Sequence, residues 1–94
     1  MDIEFDPAKD AANKAKHGIS LAAAVEFDMD TALVALDVRE DYGEDRWIAV
    51  GFMEAALHVL VFTERDGHIR PISLRKAQKS EEKNYVEQKA RYGN

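Results

Sequence analysis

The chain has 94 residues, of which 46% are hydrophobic and 33% are charged, as is typical of a folded globular protein. This length allows one domain with a modest core. The absence of cysteine excludes disulfides, thiolate metal ligands and thiolate nucleophiles. The apolar runs are too short to span a bilayer and no secretion signal opens the chain, so we expect a cytoplasmic protein that does not contact a membrane.

The net charge of −5 conceals an uneven distribution. Residues 65–94 carry eight Lys and Arg side chains against four acids, whereas residues 1–64 carry five against fourteen. The acidic total argues against a general nucleic-acid binder, but a basic segment of this kind can hold an anion locally. Two solvated surfaces without a ligand are the alternative interpretation.

The N-terminal segment predicts a short strand followed by a helix. Asp2–Phe5 alternates polar and apolar residues, as an edge strand does. Asp6 is a favourable N-cap and the proline after it suits the first helical position, so a helix is expected over Ala8–Lys16. Gly18 suits the left-handed position that ends a helix.

A second helix is expected over Leu21–Phe27, with Ser20 as its N-cap. Its core-facing side is predicted to be an apolar stripe formed by Leu21, Ala24, Val25 and Phe27. Thr31–Val38 is an apolar run of strand length, and a polar loop over Arg39–Asp45 follows it.

Three further strands are expected in the second half of the chain. Arg46–Met53 and Leu57–Glu64 are rich in β-branched and aromatic residues and are close enough in sequence to form a hairpin. Asp66-Gly67 is a strong turn signal that predicts a second hairpin with His68–Leu74. Because Pro71 has no N–H to donate, this last strand should lie at a sheet edge or contain a bulge.

The C-terminal segment Gln78–Tyr92 predicts a helix with acids in its first turn and cations in its last turn. Its apolar residues are few, so it should pack loosely against the sheet. Together these elements predict an α+β fold in a single domain over residues 1–94. A small, mainly antiparallel sheet would be flanked by two N-terminal helices and one C-terminal helix.

His17 is the first candidate for chemistry, because histidine side chains exchange protons near neutral pH. The alternative interpretation is a helix C-terminal residue whose protonated form complements the helix dipole. The histidines show no metal-ligand spacing, and the glycine-rich nucleotide motifs are absent, so no metal or cofactor is predicted. Glu44, Asp45 and Arg46 form either an acid/base group or a loop salt bridge.

Arg70, Arg75 and Lys76 form a basic lip at the end of the last predicted strand. Strand alternation predicts Arg70 on one face and both Ser73 and Arg75 on the other. Guanidinium groups bind phosphate through paired hydrogen bonds, so the basic lip predicts a phosphate site. A solvated basic rim is the alternative.

Several stretches together resemble the BrnT-type toxins, in order and across nearly the whole chain. They are Phe5-Asp6-Pro7-x-Lys9-x-x-x-Asn13-x-x-Lys16-His17-Gly18-Ile19-Ser20, Gly43-Glu44-Asp45-Arg46, Gly51, Thr63-Glu64-Arg65, Ile69-Arg70-x-Ile72-Ser73-x-Arg75-Lys76-Ala77, Glu81 and Tyr85. One departure is Pro71, where the family usually has isoleucine.

The resemblance implies a RelE-like fold and a metal-independent ribonuclease that stops translation. It also implies a BrnA-like antitoxin with a ribbon-helix-helix domain, which neutralises the toxin. The complex would repress its own operon, so that operator DNA is contacted only through the antitoxin.

The resemblance further implies roles for particular residues. It makes His17 a general acid or base, and makes Arg65, Arg70 and Arg75 the groups that stabilise the phosphate. The residues expected to bind RNA are Lys16, Arg46, Ser73, Lys76 and Tyr85; Glu64 and Tyr85 are further acid/base candidates.

A function of another class is the alternative: a non-catalytic binding module that docks a protein partner through the basic lip. Such a module would neither cleave RNA nor arrest growth on overexpression.

Overall fold

The computed structural model describes residues 2–92 and confirms the α+β class. In chain order, the elements are helix α1 (Pro7–His17), a 3₁₀ helix (Leu21–Glu26), strands β1 (Leu33–Leu36), β2 (Trp47–Met53), β3 (Ala56–Arg65) and β4 (His68–Lys76), and helix α2 (Lys79–Tyr92). The strands form one sheet in the order β1-β2-β3-β4, and every neighbouring pair is antiparallel. The predicted antiparallel sheet is therefore confirmed.

Helix α1 begins and ends where the sequence predicts. The Asp6 carboxylate accepts a hydrogen bond from the Ala8 N–H at 2.8 Å. Gly18 has a φ of 72° and donates its N–H to the Lys14 carbonyl, an arrangement that glycine adopts without steric cost. These caps set the position at which His17 leaves the helix.

The predicted second α-helix over Leu21–Phe27 is wrong, because Leu21–Glu26 is a 3₁₀ helix. Ser20 does cap it, as predicted, by accepting from the Ala22 N–H. A 3₁₀ helix has three residues per turn, so residues three apart lie on one line. The buried residues of this segment have that spacing, whereas Val25 is 50% exposed. They are Leu21, Ala24 and Phe27.

One face of the sheet forms the core against the 3₁₀ helix. Its fully buried residues include Ala49, Leu60 and Leu74. Gly51 is needed on this face, because a Cβ there would come within 2.9 Å of Phe27 Cζ. The opposite face, which carries Val59 and Val61, is covered in part by α2, and the remainder lines the site described below.

Strand β4 lies at the edge of the sheet and also contains a bulge, so both predicted consequences of Pro71 are present. Val61 pairs with Ser73 while Phe62 pairs with Pro71, which leaves Ile72 as an extra residue. Because of this extra residue, the side chains before the bulge point to the opposite face of the sheet from the one that simple alternation predicts. Arg70 pairs with Thr63, on the same face as Val61, so the predicted placement of Arg70 opposite Ser73 and Arg75 is wrong.

The N-terminal segment covers the beginning of β4 without forming a strand. The predicted strand Asp2–Phe5 is wrong, since only a single parallel bridge joins Ile3 to Ile69. Ile69 donates its N–H to the Asp2 carbonyl and accepts from the Glu4 N–H, each at 2.9 Å.

Asn13 covers the end of β4. Its side chain accepts from the Leu74 N–H at 3.1 Å and donates to the Leu74 carbonyl at 2.8 Å, as a neighbouring strand would. The same amide nitrogen donates to the Ile19 carbonyl at 2.8 Å. Both Asn13 and Leu74 are buried, so this one side chain fixes α1 against the edge strand.

Helix α2 is attached to the sheet through few side chains, as its composition predicts. Tyr85 is its buried residue; the hydroxyl donates to the Thr31 carbonyl at 2.9 Å, and the ring packs edge-on against Phe52. Within residues 2–92, no helix is long and apolar enough to cross a membrane.

Candidate functional site

The end of α1, the end of β4 and the residues before α2 enclose a basic groove. Its main cavity, of about 490 Å³, is lined by Lys16, His17, Ile19, Arg75, Lys76 and Gln78. A second cavity of about 210 Å³ continues it along α1 and is lined by Lys9, Ala12, Asn13, Lys16, His17, Ile72 and Ser73. We name the two together the basic groove. Among the described residues that line it there are four cations and no carboxylate.

The bond from Asn13 to Leu74 explains why His17 and Arg75 meet. His17 lies four residues after Asn13 and therefore on the same side of α1. Arg75 directly follows Leu74 on β4. Fixing Asn13 to Leu74 therefore sets the last turn of α1 beside the end of the edge strand. His17 and Arg75, 58 positions apart in the chain, line one cavity as a result.

Arg75 is held in place by Glu81 at the start of α2. Two parallel hydrogen bonds of 2.8 Å join the guanidinium to the carboxylate. Glu81 also accepts from the Gln78 N–H at 2.7 Å, which fixes the beginning of the helix. The guanidinium lowers the pKa of Glu81, and the carboxylate raises the pKa of Arg75. Arg75 therefore stays charged and in one orientation, with its Nε–H and one Nη2 hydrogen left to donate.

A third cavity, of about 290 Å³, lies on the open face of the sheet and shares Ile72, Ser73 and Arg75 with the basic groove. We name it the arginine pocket. Its other lining residues are Asp37, Arg39, Tyr42, Arg46, Ile48, Val59, Val61 and Glu81. Three guanidinium groups and two carboxylates therefore surround a space that adjoins the groove at Ile72, Ser73 and Arg75.

Asp37 organises one wall of the arginine pocket. Its side chain is 1% exposed and accepts two hydrogen bonds of 2.8 Å from the Arg39 guanidinium. The Tyr42 hydroxyl donates to the same carboxylate at 3.0 Å. The bonds from Arg39 hold the pKa of Asp37 well below its usual range, while burial and the Asp37 carboxylate raise the pKa of Tyr42. The loop thus carries a permanently ionised carboxylate with a fixed arginine.

Arg46 stacks on Tyr42, with its guanidinium carbon 4.1 Å from the ring centre. Its Nε is buried and has no hydrogen-bond acceptor within residues 2–92. The Glu44 carboxylate lies 4.0 Å from this nitrogen, too far for a hydrogen bond. Glu44 and Arg46 thus form the loop salt bridge that the sequence allowed, and the Asp45 carbonyl accepts from the Thr63 hydroxyl.

The structure brings six of the predicted site residues to this region and places three elsewhere. Lys16, His17 and Lys76 line the basic groove, Arg46 lines the arginine pocket, and Ser73 lines both; Arg75 joins the two. Arg65 pairs instead with Glu44 at 3.2 Å. Arg70 pairs with Glu4 at 2.8 Å, and Tyr85 is a buried packing residue of α2. None of these last three lines the described cavities of the region.

Sequence reasoning did not select Asp37, Arg39, Tyr42 or Glu81 for the site. A signal was present for Glu81, which lies three residues after Gln78 at a helix start, where an acid often caps. For Asp37, Arg39 and Tyr42, the only sequence signal for a binding site was that aspartate, arginine and tyrosine occur together around a predicted polar loop. Ion pairs within a loop depend on the loop path, and periodicity does not predict that path.

The arrangement can bind an anion in an elongated space and supply one titratable imidazole beside it. Cations without acids line the basic groove, and oriented guanidinium groups line the arginine pocket. Residues 2–92 contain no group of three or more His, Asp or Glu side chains placed to hold a metal ion.

Residues 5–81 match a family model described as the ribonuclease toxin, BrnT, of type II toxin–antitoxin systems. This match covers most of the chain, and the chain belongs to that family. A search of curated proteins found no significant match.

Proposed function

We propose that this member of the BrnT family is a cytoplasmic endoribonuclease that cleaves RNA without a metal ion and thereby inhibits translation. The observation that carries the proposal is the shared cavity of His17 and Arg75. An imidazole and an oriented guanidinium beside two lysines, Lys16 and Lys76, are the groups that phosphodiester cleavage needs. Family membership supports the choice of RNA as the substrate.

In the proposed reaction the 2′-oxygen of a ribose attacks the adjacent phosphorus, and the bond from phosphorus to the 5′-oxygen breaks. One proton leaves the 2′-hydroxyl and one proton is delivered to the 5′-oxygen, so charge and atoms balance. The products are a 2′,3′-cyclic phosphate and a 5′-hydroxyl. His17 makes one of the two proton transfers, as general base or general acid.

Arg75 stabilises the pentacoordinate phosphate in this scheme. Its fork is oriented by Glu81 before the substrate arrives, so little reorganisation is needed when charge accumulates on the phosphate oxygens. Lys16 and Lys76 act as point charges on either side of it. We leave Arg65 and Arg70 out of this site, because each is engaged by a glutamate outside the groove.

The basic groove also explains how an acidic protein can hold RNA. The net charge of −5 repels RNA at long range, so binding depends on the local cations. Affinity should therefore decrease steeply with salt, as it does wherever phosphate contacts release counterions.

We propose, further, that residues 1–94 form a single toxin domain neutralised by an antitoxin with a ribbon-helix-helix domain. The complex would bind operator DNA through the antitoxin and repress its own operon. Family membership supports an antitoxin partner. Copurification of the two proteins tests whether the antitoxin binds the toxin. Operator binding by the antitoxin, measured with and without the toxin, tests whether the complex binds the operator.

The central experiment measures cleavage of end-labelled single-stranded RNA by purified protein in the presence of EDTA. His17→Ala and Arg75→Gln should each reduce the rate by about 10²-fold or more. The matched controls are His68→Ala, an exposed histidine paired with Asp2, and Arg91→Gln, an exposed arginine in the last turn of α2. Circular dichroism establishes that all four variants are folded.

Wild-type protein that cleaves no RNA would refute the ribonuclease function and leave a binding module. Cleavage that is unchanged in His17→Ala and Arg75→Gln would refute the assigned roles. Activity lost in EDTA and restored by added Mg²⁺ would refute metal independence.

A further inference from the structure

The arginine pocket adjoins the proposed cleavage site at Arg75 but is not used by the reaction derived above. It shares Arg75 and Ser73 with the basic groove and extends away from His17 across the open face of the sheet. Asp37, Arg39 and Tyr42 form a connected set of hydrogen bonds on its far wall. A satisfied polar network of this kind holds its side chains in one arrangement.

The donors of the pocket are only partly used within the described chain. Arg39 binds Asp37 through Nε and Nη2, which leaves Nη1 to donate elsewhere. Arg46 lines the pocket with its guanidinium stacked on Tyr42; its Nε has no acceptor within residues 2–92 but is itself too buried to reach a ligand. Each carboxylate in the lining is already paired, Asp37 with Arg39 and Glu81 with Arg75, so neither can serve Arg46.

The charges of the pocket also favour an anion. The Glu81 carboxylate raises the pKa of Arg75. The positive charge of Arg39 has the smaller, opposite effect, which shows that the two guanidinium groups repel each other. A negatively charged group between the two guanidinium groups would remove that repulsion. Three guanidinium groups against two carboxylates leave one positive charge in the lining.

We propose that the arginine pocket is a second phosphate subsite, in which Arg39 and Arg46 bind the RNA phosphate next to the one being cleaved. The inference rests on the proposed ribonuclease function. Its occupant follows from connectivity: an RNA strand with one phosphate at Arg75 must place its neighbouring phosphates along a continuous surface, and this pocket adjoins Arg75. A volume of about 290 Å³ is sufficient for a phosphate group and part of its ribose.

In this arrangement Asp37 and Tyr42 are positioning residues. Asp37 holds the Arg39 fork through two bonds, and Tyr42 supports both Asp37 and the stacked Arg46. The subsite would increase affinity and set the register of the strand, while the chemical step stays at His17 and Arg75. Its loss should therefore raise KM much more than it lowers kcat.

The test uses a fluorescently labelled 2′-O-methyl RNA hexanucleotide, which binds but cannot be cleaved because its 2′-oxygens carry no proton. Arg39→Gln should weaken its binding by about tenfold. The slope of log K against log salt should decrease in magnitude by about 0.7, the value for one phosphate contact on a single strand. Arg91→Gln, which also removes one guanidinium group but from exposed α2, should change neither quantity by more than a small amount.

A second probe set replaces each phosphodiester in turn by an uncharged methylphosphonate. At one position the replacement should weaken binding to the wild type and have no further effect on binding to Arg39→Gln, which identifies the contacted phosphate. The double variant Asp37→Asn/Arg39→Gln keeps the net charge of the chain and the size of the side chain at position 37. It should show the same loss as Arg39→Gln, and it serves if the single variant is unstable.

Equal affinity and salt slope in wild type and Arg39→Gln would overturn the subsite, as would additive losses at every methylphosphonate position. Wild-type protein that does not bind the hexanucleotide would overturn both this inference and the proposed ribonuclease function. Binding with an intact Arg39 effect but no cleavage of ordinary RNA would support the subsite and refute only the catalytic proposal.

Discussion

The bond between Asn13 and strand β4 should be among the largest single contributions to stability outside the apolar core. Replacing Asn13 by alanine removes the partners of the Leu74 N–H and the Leu74 carbonyl. Leu74 is 0% exposed, so water cannot readily replace those partners. A buried backbone group without a partner costs about 1–3 kcal/mol, and the two together should cost roughly 2–4 kcal/mol after the small helix-propensity gain of alanine.

In a domain of this size each kcal/mol lowers Tm by about 4–8 °C, so Asn13→Ala should lower Tm by roughly 8–32 °C. The assay is thermal unfolding followed by circular dichroism at neutral pH. Asn84→Ala is the matched control, because Asn84 is exposed in the interior of α2 and the propensity gain is the same. A change below about 3 °C in Asn13→Ala would refute the reasoning.

Three further predictions concern the core, the acid dependence and the site. Gly51→Ala should destabilise the protein by about 1–3 kcal/mol in denaturant unfolding, because the added Cβ would approach Phe27 within 2.9 Å; unchanged stability would show that the 3₁₀ helix yields easily. The Arg75 guanidinium lowers the pKa of Glu81 in the folded state, so the stability that Glu81 contributes is present above the unfolded pKa of about 4.3 and is lost as the pH falls. The difference in Tm between wild type and Glu81→Gln should therefore be smaller at pH 3 than at pH 7. A difference that does not change with pH would contradict this. Arg65→Gln and Arg70→Gln should each retain more than about half of wild-type RNA cleavage, since exposed pairs contribute little and neither residue lines the groove; a loss comparable with that of Arg75→Gln would restore them to the site.

The local features of the chain were predictable because each depends on a few adjacent residues. Asp6 and Gly18 delimit α1 through their own conformational preferences, and the turn at Asp66-Gly67 joins two strands as expected. The missing N–H of Pro71 predicted an edge strand or a bulge, and β4 has both. Leu21, Ala24 and Phe27 are three residues apart, which is the spacing of a 3₁₀ helix. We predicted an α-helix instead because we included Val25 in the apolar stripe.

The composition of the site was partly predictable, and its assembly was not. The sequence by itself determined that Arg75 and Lys76 end a strand, that His17 ends a helix, and that this region is basic in an acidic chain. Only the tertiary structure decided which cations converge. Asn13 binds a strand 61 positions away and so joins His17 to Arg75, whereas Glu44 and Glu4 hold Arg65 and Arg70 elsewhere. The physical reason is that an ion pair or a side-chain bond to an edge strand depends on the folded path of two distant segments, which no periodicity within either segment encodes.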